Sequence, residues 1–215
     1  MADTQTSYPV KLSIDFPDRP LNRLSSFFRL FAAIPIMIII LLLYNAYLQY
    51  PADSENGCAP LSAAIYTGYV ILPALLMILF RRKYPRWWFD WNLNLARFAT
   101  RVSAYICLLR DEYPSTDDEQ TIHLEIPYPN AAVDLNRWLP LVKWLLAIPH
   151  YIVLVFLVVA AVVVVIIAWF AILFTGRYPR SLFNFVVGVF RWAWRVSAYC
   201  ALLVTDKYPP FRLAD

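Results

Sequence analysis

The chain has 215 residues, of which 60% are hydrophobic and only 16% are charged, and its mean hydropathy is +0.53. Soluble domains carry about a quarter charged residues, so this composition excludes an ordinary soluble enzyme or a disordered tail and favours an integral membrane protein. The net charge is +4, but the basic residues flank apolar runs, which favours a membrane surface over nucleic acid as the partner.

The first half begins with alternating apolar and polar residues over 10–16, which predict a short strand. Two apolar runs follow, at 30–50 and 61–80, and each is long enough to cross a bilayer core of about 30 Å. The polar stretch 49–58 between them predicts an external loop. Residues 86–109 contain no helix breaker and place tryptophans and arginines on different faces, which predicts an amphipathic helix in the membrane interface.

The second half begins with another alternating stretch, 122–128, and then has an uncharged apolar run over 144–174. As one helix that run would be about 46 Å long, which exceeds the bilayer core. We therefore predict two spans, 141–158 and 160–175, joined by a tight turn. Residues 181–204 predict a second interfacial helix. Its alternative, a transmembrane helix, would bury two arginines at about 2.5–3.5 kcal/mol each.

An internal repeat supports this division. The matching segments are Leu21-Asn22-Arg23 with Leu135-Asn136-Arg137, Ala33-Ile34-Pro35 with Ala147-Ile148-Pro149, and Arg101-Val102-Ser103-Ala104-Tyr105 with Arg195-Val196-Ser197-Ala198-Tyr199. The predicted fold is an all-α membrane protein with four transmembrane helices in two parallel hairpin repeats, 1–115 and 116–215. An amphipathic interfacial helix follows each hairpin, and short β-strands lie on the cytoplasmic side. All 19 Lys and Arg then fall on one side, which predicts cytoplasmic termini.

Motifs along nearly the whole chain, in both halves, resemble a known family, most specifically from Ala171 to Pro210. They are the repeated Ala-Ile-Pro at 33–35 and 147–149, followed in the second half by His150, the Ile-Leu-Phe-Thr-Gly-Arg-Tyr-Pro-Arg run at 172–180, and the Arg-Val-Ser-Ala-Tyr helix with its trailing Tyr-Pro. Together they are similar to the bacterial membrane-protein family catalogued as domain of unknown function number 4389. The resemblance implies a location in the bacterial inner membrane and carries no activity with it.

Two arginine pairs are the candidate lipid- or anion-binding residues: Arg97 with Arg101, and Arg191 with Arg195. Each pair has i,i+4 spacing on a predicted helix, and the two pairs occupy equivalent positions in the repeats. Guanidinium groups bind phosphate through two parallel hydrogen bonds, so the pairs predict a site for an anionic lipid head group or another phosphate-bearing ligand. The alternative is that they anchor the helices or pair with acidic residues.

Other polar and aromatic residues are predicted to hold the helices at the membrane interface. These anchors are Arg29, Lys143, Arg86, Arg180, Trp87 and Trp88; Arg29 and Lys143 are expected to snorkel to the head groups. His150 is the intramembrane polar residue, expected to be neutral and hydrogen-bonded to a neighbouring helix. Asp111 belongs to an acidic linker that is expected to be solvated.

The chain contains no catalytic signature and no metal-ligand spacing, so no catalytic residue, cofactor or metal is predicted. We expect a non-enzymatic accessory or scaffold subunit that joins a larger membrane protein complex or a homo-oligomer, with bound anionic phospholipid. Two alternatives are a small transporter or lipid-handling protein that uses the arginine pairs for an anionic or amphipathic substrate, and a lipid-modifying enzyme.

Overall fold

The computed structural model describes residues 8–17, 20–43, 73–115 and 120–214. These residues are mostly helical and include two short strands, as predicted. The elements in chain order are β1 (Lys11–Ile14), α1 (Arg23–Leu43), α2 (73–81), α3 (Arg86–Ile106), β2 (Ile122–Glu125), α4 (Pro140–Leu146), α5 (Ile148–Thr175) and α6 (Arg180–Cys200). The predicted external loop and most of the predicted 61–80 span lie outside the described residues.

The two strands pair as an antiparallel ribbon with Leu12 opposite Leu124. The amide of Asp15 donates to the carbonyl of Thr121 at 3.3 Å, and these two residues face each other across the ribbon. Because hydrogen-bonded and non-hydrogen-bonded pairs alternate along an antiparallel ribbon, Leu12 and Leu124 form a non-hydrogen-bonded pair. Their carbonyl groups therefore point outward, towards the two free edges of the ribbon.

The helices are arranged in layers on one side of the ribbon. The alternating apolar side chains of both strands are buried in the main core, where α3 contacts β2 and α6 contacts β1. On the far side of these helices, α1 packs on α3, and α5 packs on α6 and α1. The order from the ribbon outward is thus ribbon, then α3 and α6, then α1 and α5.

The predicted tight turn between spans 141–158 and 160–175 is wrong. Helix α5 is continuous from Ile148 to Thr175, over 28 residues, or about 42 Å. Residues 158–163 are all valine and alanine, and none of them favours a turn. A continuous helix keeps every backbone hydrogen bond within the segment, which an apolar environment demands. The second half therefore does not form the predicted pair of spans.

Both apolar helices are interrupted near equivalent prolines. Segments Arg23–Arg29 and Phe31–Ile40 of α1 meet at an angle of 49°, one turn before Pro35, which cannot donate to a carbonyl in that turn. In the second half, helix α4 ends at Leu146 and α5 begins two residues later at Ile148, with Pro149 in its first turn.

One helix among the described residues, α5, is long and apolar enough to cross a membrane, and the bent α1 would be a second. Most apolar side chains of these helices are exposed. We call the following set the uncovered apolar surface: Phe27, Phe31 and Ile38 of α1, Leu141 and Leu145 of α4, and Phe156, Val159, Val163 and Phe170 of α5. A soluble monomer rarely exposes a contiguous apolar patch of more than a few hundred Å², so this surface requires a covering.

Candidate functional site

The first polar cluster surrounds Arg29, whose side chain is 2% exposed. Its guanidinium forms an ion pair with Asp111 and donates to the carbonyl of Arg110 at 2.9 Å. It also lies over the ring of Tyr105, 4.7 Å from the centroid. The second carboxylate oxygen of Asp111 accepts the backbone amide of Asn22 at 2.8 Å. Asp111 thus joins the start of α1 to the end of α3.

The second polar cluster surrounds Lys143, whose side chain is fully buried. Its ammonium lies 2.7 Å from Asp206 and donates to the carbonyl of Thr205 at 2.7 Å. It also lies 5.1 Å from the ring centroid of Tyr199, whose own pKa is raised by burial. Asp206 accepts the backbone amide of Asn136. This cluster joins the start of α4 to the segment after α6, as Asp111 joins α1 to α3.

Two further contacts make the clusters alike. The ring of Tyr105 meets that of Tyr113 edge-on at 5.7 Å, and Tyr199 meets Tyr208 edge-on at 5.8 Å. In each cluster, a cation from the outer helix layer is therefore held by a carboxylate, at least one main-chain carbonyl and an aromatic pair, all supplied by the underlying helix and the segment that follows it. The arrangement fixes the position of each apolar helix on the helix that supports it.

The predicted snorkelling of Arg29 and Lys143 is wrong. Snorkelling needs the charged end of the side chain to reach the head groups, whereas both cations are enclosed by the protein. A carboxylate was available to each, and an ion pair with additional hydrogen bonds compensates for burial of the charge. The expectation that Asp111 is simply solvated is wrong for the same reason.

Sequence reasoning overlooked Asp206 entirely, although the chain carries a signal for it. Both acidic partners stand in the same four-residue pattern, Asp111-Glu112-Tyr113-Pro114 and Asp206-Lys207-Tyr208-Pro209. A carboxylate that recurs at a matched position, together with a cation that recurs at Arg29 and Lys143, indicates a duplicated ion pair.

Two of the four candidate arginines bind the edges of the ribbon. The Nε of Arg97 donates to the carbonyl of Leu124 at 3.1 Å, and the Nε of Arg191 donates to the carbonyl of Leu12 at 2.9 Å. Because Leu12 and Leu124 present these carbonyls at opposite edges, the two guanidinium groups are held on opposite sides of the ribbon. They protect edges that would otherwise be open to pairing with another strand.

The other two candidate arginines hold main-chain segments that follow the helices. Arg101 donates to the carbonyl of Ser115 at 2.8 Å. Arg195, 2% exposed, donates to the carbonyls of Arg212 at 3.1 Å and Ala214 at 2.9 Å. The structure thus does not gather the four arginines into one anion site. Each of them serves a main-chain carbonyl.

Close packing at Gly188 secures the same C-terminal segment. A Cβ at this position would lie 2.9 Å from the Cβ and 3.2 Å from the carbonyl oxygen of Leu213. We expect Gly188→Ala to displace the segment from α6, at about 1–3 kcal/mol for overpacking. Limited proteolysis with a carboxypeptidase should then remove the C-terminal residues faster than in the parent protein. Ser181→Ala, on the exposed side of α6, is the control, and equal rates for both variants would contradict the prediction.

The remaining predicted anchors lie at the first turns of α3 and α6. The guanidinium of Arg86 lies 5.7 Å from the ring centroid of Tyr128, and that of Arg180 lies 4.8 Å from that of Phe16. Each arginine is exposed, and each stacks on a ring from the other half of the chain. Trp87 and Trp88 form an edge-on pair at 5.3 Å, with Trp87 69% exposed and Trp88 half-buried.

His150 is fully buried at the start of α5. Its Nδ1 accepts a hydrogen bond from the indole Nε1 of Trp192 at 3.0 Å, which links α5 to α6. The imidazole stacks on Phe211 at 4.0 Å and lies 4.8 Å from Tyr208. A ring nitrogen that accepts a hydrogen bond leaves the proton on Nε2, so this geometry is that of a neutral imidazole. Within the described residues, no group of three His, Cys, Asp or Glu could hold a metal ion.

Burial disfavours ionisation of the Cys107 thiol, at the end of α3. It raises the pKa of Cys107 to about 11, so only about one thiol in a thousand is ionised at pH 8. With Cys58→Ser and Cys200→Ala removing the other thiols, we expect maleimide to modify Cys107 about a hundredfold more slowly than a cysteine at the exposed Ser13 position. The rate should rise about tenfold per pH unit from pH 8 to 10. Equal rates at pH 8 would show that the thiol is not buried.

Comparison with known proteins finds a similarity in the second half of the chain. No curated protein and no solved structure matches it. Residues 138–212 match the sequence model of one family, and they include α4, α5, α6 and the Lys143 cluster. Over this segment the chain is similar to the family Domain of unknown function (DUF4389).

Proposed function

We propose that this protein is a non-enzymatic accessory subunit of the bacterial inner membrane, which joins a larger membrane protein complex and carries bound anionic phospholipid. The observation that carries the proposal is the uncovered apolar surface. Phe156 is 72% and Phe31 is 70% exposed, so this surface requires lipid, a partner protein, or both.

The composition of α5 favours a protein partner for part of that surface. Its exposed residues are largely valine and isoleucine, among them Val155, Val159, Val162 and Ile166. Branching at Cβ leaves these side chains with few rotamers. Their surface is therefore stiff. When a partner helix packs on it, the side chains of α5 lose little conformational entropy.

Cations at the ends of the apolar helices support contact with anionic lipid. Arg23 begins α1 and lies against Gly176, just beyond the end of α5. Arg137 precedes α4 and donates from its Nε to the carbonyl of Leu79 in α2. Basic residues beside a membrane attract anionic lipids by about 1 kcal/mol each. We therefore propose that the head groups lie at these helix ends.

We further propose that the two halves are parallel repeats related by an axis along the membrane normal, with both termini on the cytoplasmic side. The duplicated ion pairs of Arg29 and Lys143 support this. So does the exchange of arginines, since Arg97 binds the strand of the second half and Arg191 binds the strand of the first. An axis through the centre of the ribbon interchanges these contacts.

A transport role through the paired arginines gains no support from their geometry. All four side chains donate to main-chain carbonyls, and the ribbon separates Arg97 from Arg191. A substrate would have to displace these hydrogen bonds before it could engage the guanidinium groups.

The test is purification from the native membrane in a mild detergent, followed by native mass spectrometry. The tag belongs at the N-terminus, because Arg195 binds the carbonyls of Arg212 and Ala214. We expect a protein partner in fixed stoichiometry together with retained phospholipid. A lone chain or a homo-oligomer without a partner would overturn the accessory-subunit proposal.

A matched pair of variants locates the partner contact. Val158→Ser with Val162→Ser alters exposed positions of α5, whereas Val133→Ser alters an exposed valine outside the helices. The α5 variant should lose the partner and remain in the membrane, and the control should retain both. Retention of the partner by the α5 variant would place the contact elsewhere.

A further inference from the structure

The geometry points to a helix α5 that lies within one leaflet, parallel to the membrane plane, with both of its ends at the same membrane surface. This inference rests on the membrane location proposed above and adds the identity of the covering wherever the partner leaves the apolar surface open: the acyl chains of a single leaflet. The length of α5, 28 residues, would suffice for a crossing. The contacts of α6, and not the length of α5, decide the orientation.

Helices α5 and α6 run antiparallel, side by side. The start of α5 contacts the second half of α6: the hydroxyl of Tyr151 lies 2.8 Å from the Sγ of Cys200, at the end of α6, and Trp192 hydrogen-bonds to His150. The end of α5 is joined to the start of α6 by residues 176–179. Any membrane that α5 crosses must therefore be crossed by α6 as well.

The middle of α6 is tied to the ribbon. Arg191 binds the carbonyl of Leu12 at 2.9 Å, and the hydroxyl of Tyr8, just before β1, donates to the carbonyl of Arg195 at 3.3 Å. The outer face of the ribbon exposes the charged side chains of Lys11 and Glu125. If α6 crossed the membrane, the ribbon would lie near the middle of the bilayer.

Such a position is energetically excluded. Each charged side chain at the bilayer centre costs about 2.5–3.5 kcal/mol on insertion scales, and Lys11, Glu125, Arg191 and Arg195 would all be there. Beyond the two carbonyls held by Arg97 and Arg191, a two-stranded ribbon also has edge amides and carbonyls that hydrocarbon cannot satisfy. With α5 parallel to the membrane, the ribbon remains in water, and α6 lies between the ribbon and the acyl chains.

The dimensions suit a single leaflet. A helix with its side chains is about 10–12 Å across, and half of a bilayer core is about 15 Å thick. The side of α5 that faces the protein includes the buried Ala161, Ala168 and Ile172, whereas Phe156 and Val163 point away from it. The exposed side would thus face the bilayer midplane along the whole helix.

The first test is the sidedness of the two ends of the α4–α5 segment. In a background with the native cysteines replaced by serine, single cysteines are placed by Ala132→Cys, before α4, and Arg177→Cys, after α5; both positions are exposed. Ser13→Cys marks the ribbon. A membrane-impermeant maleimide is added to sealed inverted vesicles and to right-side-out vesicles. We expect all three positions to be modified in the same orientation, and modification of 132 and 177 from opposite sides would overturn the inference.

The second test is depth, which separates an in-plane helix from a hairpin. Spin labels at Val155→Cys, Val159→Cys and Ile166→Cys occupy exposed positions of α5, and the outer two are about 16 Å apart along the axis. Their accessibilities to oxygen and to a polar nickel complex report depth. We expect the same depth at all three positions. A gradient along the helix or a maximum at position 159 would overturn the inference.

These outcomes differ from failure of the proposed function. A protein that washes off the membrane would refute the membrane location itself. A protein that remains in the membrane without a partner would refute only the accessory role. Opposite sidedness or unequal depth in a membrane-bound protein with its partner would refute only the in-plane orientation.

Discussion

Asp206→Ala should lower the free energy of unfolding by about 3–5 kcal/mol, the usual cost of removing one partner from a buried ion pair. The reason is the environment of Lys143, which is fully buried and has Asp206 at 2.7 Å as its counter-ion. Without the carboxylate, the ammonium keeps the carbonyl of Thr205 and the ring of Tyr199 but has no counter-ion. The measurement is thermal or denaturant unfolding of the purified protein in detergent micelles.

The control for this prediction removes both charges. Lys143→Met with Asp206→Ala should recover most of the loss, because no charge is left buried without a partner. Asp134→Ala, at an exposed carboxylate, should change the free energy of unfolding by less than about 0.5 kcal/mol. If the single and double variants were equally unstable, packing and not the ion pair would be responsible.

The strands and the two amphipathic helices could be predicted because local patterns specify them. Residues 10–16 alternate with period two, and the structure has β1 at Lys11–Ile14. Residues 86–109 and 181–204 lack helix breakers, and the structure has α3 at Arg86–Ile106 and α6 at Arg180–Cys200. Each helix was predicted to end a few residues beyond its actual end. The chain leaves the helix at Leu108 and Leu203, which adopt positive φ, and leucine is not a residue from which such a conformation can be predicted.

The tight turn in α5 was wrong because it was inferred by analogy between the halves and had no local signal. Residues 158–163 contain no glycine, proline or asparagine. A length argument suggested two short spans because it assumed that an apolar helix must cross the membrane. A helix that lies in the plane is not limited by bilayer thickness, so its length carries no such constraint.

The roles of the candidate arginines could not be predicted because their partners are main-chain carbonyls. Sequence shows that Arg97 and Arg191 occupy matched positions, but it does not show that the ribbon presents the carbonyls of Leu124 and Leu12 to them. Every residue has a backbone carbonyl, so the residue types in the sequence do not show which carbonyl accepts the hydrogen bond. The carboxylates of Asp111 and Asp206, by contrast, were visible in a repeated pattern.

Val159→Asp with Val163→Asp should sharply reduce insertion into the membrane. Both side chains are exposed on α5, at 60% and 52%, on the side away from α6. An aspartate at the centre of the hydrocarbon costs about 2.5–3.5 kcal/mol on insertion scales, which is a factor of about a hundred in partition for each substitution. The measurement is the fraction of newly synthesised protein that stays with inverted vesicles after an alkaline wash.

The dependence of this loss on position along α5 distinguishes an in-plane helix from one that crosses the membrane. An in-plane helix places Val155, Val159 and Ile166 at one depth, so single aspartates at the three positions should reduce insertion equally. A crossing helix would show the largest loss at the position nearest the midplane and smaller losses towards the ends. Ser13→Asp, on the exposed face of the ribbon, should have no effect. If Ser13→Asp reduced insertion as much as Val159→Asp, the ribbon would lie in hydrocarbon, and the in-plane orientation, which places it in water, would be wrong.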